Sequence, residues 1–154
     1  LDASLIWSAH ILTIGALIFF LAKIVDRLDK RRTLVLGYTL HTIGFIAYIF
    51  VGNIWQLLAV QVFLGIAAAI SIPAFDAFYS RSLNRGKESS EWGIWESGTR
   101  IISAGAAFIG GLLASAFGFR FLFIFMSAFA LLSMLIITHL LKKNEYKKLF
   151  PKRF

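Results

Sequence analysis

The sequence predicts an all-α fold: a polytopic membrane helical bundle with five transmembrane helices. Hydrophobic residues make up 58% of its 154 positions and only 16% are charged, against roughly 25% in soluble domains. Five apolar runs are each long enough to cross about 30 Å of hydrocarbon as a helix. They are too long and too uniformly apolar for membrane strands, which are about ten residues long and alternate apolar with polar residues. The runs cover residues 3–22, 33–51, 55–79, 93–117 and 119–141.

The first run is followed by a strongly basic segment, and so are the third and fifth runs. All Lys and Arg residues except Arg100 and Arg120 lie in these three segments. Because successive helices cross a bilayer in opposite directions, the three segments share one side, which the positive-inside rule assigns to the cytoplasm. We therefore expect an integral protein of the plasma (inner) membrane, surrounded by the lipid bilayer, with its N-terminus outside and its C-terminus cytoplasmic. The net charge of +8 is then explained by the basic segments on the cytoplasmic side of the membrane. We therefore expect no nucleic-acid partner.

The later runs carry signals for their packing. Pro73, in the third run, predicts a kink, because proline removes a backbone donor and clashes with the preceding turn. Small residues four apart in the fourth run, such as Ala107, Gly111 and Ser115, let another helix approach closely, so we expect this span in the interior. The fifth run is mostly Phe, Leu and Ile and is expected to face lipid. We assign residues 1–141 to one transmembrane domain and residues 142–154 to a basic cytoplasmic tail.

The first basic segment resembles the signature loop of the major facilitator superfamily of secondary transporters. That signature reads roughly Gly-x-Leu-Ala-Asp-Arg-x-Gly-Arg-Arg and joins the second to the third helix of each six-helix half. Ala22 and Asp29 stand where the signature has glycine. Its charged positions are matched by Asp26, Arg27, Lys30 and Arg31.

The resemblance extends over most of the chain, which looks like helices two to six of one half of a major facilitator-type fold. Gln61 stands where amino-terminal halves often carry Arg, which favours the carboxyl-terminal half, helices 8 to 12. The family implies a secondary active transporter that moves a small solute by alternating access, with the other half of the transporter as the missing partner. It also implies that the first, third and fourth spans line the path. Similar features are Gly65 with Pro73 in the fourth helix, Gly110-Gly111 in the fifth, and Gly118-Phe119-Arg120 at the turn into the sixth.

Charged residues near the expected cytoplasmic ends suggest a gate. Glu96 and Arg100 are four apart and can pair on one helical face. The resemblance implies that Asp26 locks the inward gate against a helix of the other half. We predict a charge network that breaks when the transporter opens inward; the alternative is a static arrangement that only sets topology. The predicted network comprises Asp26, Arg27, Lys30, Arg31, Glu96 and Arg100.

Polar residues within the spans are candidates for a substrate or proton path. Asp76 is a candidate for proton coupling or for binding a cationic substrate, although it can also pair with Arg81 or Arg85 at the interface. His10 can titrate near neutral pH and relay protons, or be a packed, hydrogen-bonded residue. We expect no transport role for His41 on the second span. The predicted path residues are His10, Gln61, Ser71, Asp76 and Ser103.

Several functional classes find no support in the sequence. There is no cysteine, no glycine-rich phosphate loop, no nucleophile motif and no cluster at metal-ligand spacing. We therefore expect no enzyme, no cofactor and no metal site. The alternative to a transporter is a non-transporting membrane module that is structural or binds a partner. The substrate, a small molecule, cannot be read from these residues.

Overall fold

The structure, a computed structural model, describes residues 2–142, and all regular secondary structure within this stretch is helical. The helices match the five predicted spans and confirm the all-α prediction. Four of them, α1, α3, α4 and α5, are long and apolar enough to cross a membrane. α2, whose 19 residues begin with three cations, is not among them. The helices are α1 (Asp2–Arg27), α2 (Lys30–Tyr48), α3 (Ile54–Ser80), α4 (Glu88–Phe117) and α5 (Phe119–Lys142).

Short polar or glycine-containing links set the helix ends. The side chain of Asp29 accepts hydrogen bonds from the backbone N–H groups of Arg31 and Arg32, at 2.8 and 3.3 Å, and so caps the start of α2. Asn53 caps α3 in the same way. α4 ends at Gly118, whose φ of +83° lies in the left-handed region that favours glycine. The predicted tail lies almost wholly outside the described residues, and the domain boundary at 141 stays a prediction.

α3 is the centre of the first half of the bundle, because both α1 and α2 pack along it. α1 runs parallel to α3: His10 contacts the backbone of Gln61, and Thr13 contacts Gly65. α2 runs antiparallel to α3, with Gly37 close to Ser71. α3 continues through Pro73 as one helix.

α5 joins the bundle through α2. The hydroxyl of Thr42 donates to the carbonyl of Ala130 at 3.2 Å, and that of Ser127 donates to the carbonyl of Phe45 at 2.8 Å. This register makes α5 antiparallel to α2, so α1, α3 and α5 all end at the same end of the bundle. We call it the basic end, because the described cations of the first and third links lie there.

α4 is the least covered helix of the chain. It contacts α5 near the turn that joins them, where the ring centroids of Phe117 and Phe121 are 5.0 Å apart, and it contacts α3 near its own start. Of its residues, all of which the structure describes, none is buried. This span was predicted to lie in the interior, but the described helices of this chain do not bury it.

Candidate functional site

A cavity of about 1000 Å³ lies among α2, α3, α4 and α5. Along α4 its lining extends from Trp95 to Leu113, a rise of about 27 Å at 1.5 Å per residue. The cavity therefore extends over most of the thickness expected for the hydrocarbon core. α1 contributes none of its lining residues, because α1 packs along α3 instead. The expectation that the first, third and fourth spans line the translocation path stays a prediction.

The lining changes character from one end of the cavity to the other. The carboxylate and hydroxyl groups lie in the half of each helix nearer the basic end. The opposite end is apolar, with Phe45, Ile109, Leu113 and Leu122. The cavity is therefore amphipathic along its length. The polar lining residues at the basic end are Tyr38, Ser71, Asp76, Glu96, Thr99 and Ser133.

Asp76 and Glu96 are the carboxylates of this lining. Glu96 pairs with Arg100 across a 3.3 Å separation of Oε2 and Nη2, which confirms the predicted intrahelical geometry. Asp76 has no hydrogen bond or ion pair among the described residues, and neither Arg81 nor Arg85 reaches it. The carboxylates of Asp76 and Glu96 are close enough to interact electrostatically. An intramembrane carboxylate without a cation is energetically costly, which makes Asp76 the chemically most informative residue of the cavity.

Aromatic rings fix α4 to α3 beside these carboxylates. The ring centroids of Phe75 and Trp95 are 4.7 Å apart, and those of Tyr79 and Trp92 are 4.8 Å apart. The hydroxyl of Tyr79 also donates to the backbone carbonyl of Glu91 at 2.9 Å. We call these contacts the α3–α4 clamp; it positions Trp95 and the following turn of α4 at the cavity.

The predicted gate residues fall into two local groups. Asp26 pairs with Lys30 at 3.8 Å, where α1 passes into α2, while Arg27 forms the last turn of α1. The backbone N–H of Arg31 is bound by the capping Asp29. Glu96 and Arg100 pair on α4. Each ion pair thus joins residues that are four apart in the sequence. A network that joins the two groups stays a prediction.

The other predicted path residues lie apart from one another. His10 Nδ1 is 3.0 Å from the backbone oxygen of Gln61, at the α1–α3 contact, and a place for the two side chains on the path stays a prediction. Ser71 is buried between α2 and α3, where its hydroxyl donates to Ala68 O at 3.4 Å, and it also lines the cavity. Ser103 is exposed on α4 and does not line the cavity.

The contribution of α2 and α5 to the cavity was not predicted from the sequence. His41, for which no role was expected, lines it together with Tyr38, and Phe129 and Ser133 line it from α5. The sequence feature that could have indicated this contact is the pair of polar residues Thr42 and Ser127, whose hydroxyls donate hydrogen bonds between α2 and α5. Within residues 2–142 no group of His, Asp and Glu side chains is arranged to hold a metal ion.

Comparisons with known proteins identify the same family as the signature loop does. The family model described as Major Facilitator Superfamily matches residues 1–153. The chain is 28% identical over 97 residues to the "Proton-coupled antiporter flippase LtaA" of Staphylococcus epidermidis and 28% identical over 100 residues to the LtaA of Staphylococcus saprophyticus. Each match covers 61% of this chain and 24% of the relative, so the chain spans about a quarter of these flippases.

A shorter relative is also similar. The "Uncharacterized MFS-type transporter YitZ" of Bacillus subtilis is 30% identical over 127 residues, and this match covers 80% of the chain and 76% of YitZ. No solved structure matches the chain significantly.

Proposed function

Because the chain belongs to the Major Facilitator Superfamily, we propose that it is part of a secondary active transporter that moves a small solute by alternating access. The observation that carries the proposal is the family match over residues 1–153, supported by a cavity that extends over much of the bilayer thickness. Transporters of this kind place substrate and coupling-ion sites near the midplane between two repeats. One half supplies only part of such a site.

The proposal includes coupling to protons. Two similar flippases are named proton-coupled antiporters, and Asp76 offers a carboxylate at the cavity with no cation beside it among the described residues. Ionisable residues at membrane depth serve as proton relays in transporters. Protonation of Asp76 on one side of the membrane and its release on the other would link a proton gradient to solute movement.

The experiment is proton flux in liposomes that contain the intact transporter. We expect an imposed pH gradient to drive solute movement, with Asp76→Asn reducing the coupled flux at least tenfold. Asp29→Asn is the matched control, because it removes the same charge at the basic end while asparagine still caps α2. Solute movement that is indifferent to the pH gradient, and equal in the two variants, would contradict proton coupling.

The missing partner is the other half of the transporter, and α4 offers the surface for it. Small residues repeat at intervals of four or seven along one face of α4, and all of them are exposed. Such a face lets helices approach closely in a membrane. None of its members lines the cavity. This small-residue stripe consists of Gly93, Ser97, Ala104, Gly111 and Ser115.

We place the basic end in the cytoplasm of the cell, with the protein in the plasma membrane. The support is the positive-inside rule together with the register that brings the ends of α1, α3 and α5 to one side. At this end the Asp26–Lys30 pair lies where a gate between the halves would close. Asp26→Asn is expected to lower solute turnover several-fold at matched expression, whereas unchanged turnover would count against the gate.

A second candidate is a membrane module that does not transport by itself and assembles with a complementary half or with its own copy. The match to YitZ favours it, because a relative three-quarters covered by this chain is itself short. Mass measurement of the chain in detergent, alone and with the remaining transporter half, separates the two. A stable homo-oligomer that does not bind the other half would support the non-transporting module.

A further inference from the structure

The cavity is only partly closed on the side of α4. α4 contacts α3 at the α3–α4 clamp and contacts α5 near the turn that joins them. Between these two contacts its apolar side chains, such as Ile102 and Ile109, are exposed among the described residues. The lining from Trp95 to Leu113 rises by roughly 27 Å, so the open space is long enough for a transmembrane helix.

Small side chains occur on the cavity side of three helices. Ala106 and Gly110 are four apart on α4, and Ala130 and Ser133 are three apart on α5. Ser71 is a small lining residue of α3. Small residues at such spacings let the backbone of another helix approach closely, which is how helices associate in a bilayer. The lining is therefore typical of a surface that packs against a further helix.

Asp76 determines which kind of helix fits this surface. Its carboxylate has no hydrogen bond or ion pair among the described residues, and the nearby Glu96 already pairs with Arg100. A wholly apolar helix would cover Asp76 and leave its charge without a cation in surroundings of low dielectric constant, which is energetically costly. The occupant favoured by the charges is a helix that brings a cation to Asp76.

The direction of such a helix follows from the resemblance to helices two to six of one half. The resemblance implies a first helix of that half outside residues 1–154. Because successive helices cross a bilayer in opposite directions, a helix that precedes α1 begins at the basic end. Asp76 lies four residues before Ser80, the last residue of α3, which is about 6 Å of helix rise. It therefore lies at the level of the first turns of that helix.

Two physical effects favour positive charge at this level. The first turn of a helix carries the positive end of the helix dipole, and Lys and Arg are enriched at the cytoplasmic ends of membrane helices. We propose that Asp76 forms an ion pair with a basic side chain in the first turns of this helix, which packs in the cavity. The inference rests on the proposed function, because the helix comes from the rest of the transporter. Protonation of Asp76 would break the pair, so the proton-coupled step would loosen this helix.

The first experiment identifies the occupant by photo-cross-linking in the intact transporter in nanodiscs. A benzophenone side chain replaces Ile102, which lines the cavity, or Ile101, which is equally exposed but is not part of the lining. We expect position 102 to cross-link to a segment that precedes α1, and position 101 not to reach that segment. Cross-links from position 102 to lipid alone, to a second copy of the chain or to the other half overturn the proposal.

The second experiment tests the ion pair by thermal unfolding of the intact transporter. Asp76→Asn leaves the cation of the cross-linked helix unpaired and is expected to lower Tm by at least about 5 °C. Asp29→Asn is the matched control, because it removes the same charge outside the cavity, and its Tm is expected to stay unchanged. An unchanged Tm in Asp76→Asn overturns the ion pair.

A double-mutant cycle assigns the partner. The basic residue that the cross-linked helix carries at the level of Asp76 is replaced by Gln, alone and together with Asp76→Asn. We expect the double variant to recover most of the lost Tm, because neither charge is then left unpaired. Losses of Tm that simply add would show that the two residues do not interact, and the inference would fail.

The cross-link keeps the inference falsifiable if Asp76→Asn does not fold, since Asp76 itself stays unchanged there. A linked helix without Lys or Arg in roughly its first three turns, about 11 residues, overturns the ion pair. Solute movement driven by a pH gradient, together with additive losses of Tm, keeps the transporter and removes the ion pair. Coupled losses of Tm without any proton-coupled flux keep the ion pair and remove proton-coupled transport.

Discussion

The glycines of α2 and α3 and the glycines of α4 serve different purposes. A Cβ atom on Gly65 would lie 2.8 Å from the Cβ of Thr13, and one on Gly37 would lie 2.5 Å from the Cβ of Ser71. On α4, Cβ atoms at Gly98, Gly105 and Gly111 would meet no described atom within 4 Å. One region uses small residues for contacts inside the chain, whereas the other leaves them uncovered.

The difference follows from where each helix finds its neighbours. In a bilayer, helix association depends on close packing, because lipid removes most of the hydrophobic drive. α3 is closely packed, because α1 lies along one of its faces and α2 lies along another. α4 contacts α5 near the turn that joins them and α3 only at the clamp, so the described helices leave its small-residue stripe uncovered. The first half of the chain is thus a packed unit, and α4 is the surface that we propose for the other half.

The largest expected effect comes from breaking the packed unit. Gly65→Val would place side-chain atoms against Thr13 and within 3.1 Å of the His10 backbone oxygen, which cannot move unless α1 moves. Overpacking of this kind costs about 1–3 kcal/mol, and we expect a clearly lower Tm in thermal unfolding of the detergent-solubilised chain.

Gly105→Val is the matched control on α4. With open space around it, the same substitution is expected to change the free energy of unfolding by no more than about 0.5 kcal/mol. Equal losses of stability in the two variants would show that α4 is packed within the chain after all, and the contrast between the two regions would fail.

A smaller effect, of a different kind, is expected from Gly111→Val in the small-residue stripe. The chain itself should unfold at an unchanged temperature, because no described atom lies within 4 Å of the new Cβ. Association with the other half should weaken at least tenfold, or about 1.4 kcal/mol, measured by co-purification over a range of concentrations. Weaker association of Gly105→Val than of Gly111→Val would place the interface on another face of α4.

Much of this architecture could be predicted from the order of apolar runs and charges. Length and hydropathy were sufficient to identify the five helices, and the i to i+4 spacing of Glu96 and Arg100 was sufficient to identify their pair. Both depend only on properties local to one helix. The 27-residue α3 could likewise be anticipated through Pro73, because neighbouring helices in membranes tolerate proline.

The site was less predictable, since its lining depends on which helices touch. His41 and Phe129 line one cavity because α5 packs on α2, and no spacing along the chain encodes that pairing. His10 shows the converse: it was polar enough to suggest a path, and its ring nitrogen lies 3.0 Å from the backbone oxygen of Gln61 at a tight helix contact. Asp76 was the exception, because an acidic residue inside an apolar run is informative wherever its neighbours lie.

The smallest expected effect concerns the α3–α4 clamp, which connects the packed unit to the interface helix. Tyr79→Phe keeps the aromatic contacts with Trp92 and removes only the O–H donor to Glu91, a bond worth about 0.5–1.5 kcal/mol. We expect faster hydrogen exchange at the start of α4, with little change at the α1–α3 contact.

Tyr48→Phe is the matched control: its ring stacks on Phe123 at 5.0 Å, and no hydrogen bond of its hydroxyl is found in the described part of the chain. Equal exchange in the two variants would show that ring packing alone holds α4 in place; faster exchange spreading into α1 would mean that the two regions move as one.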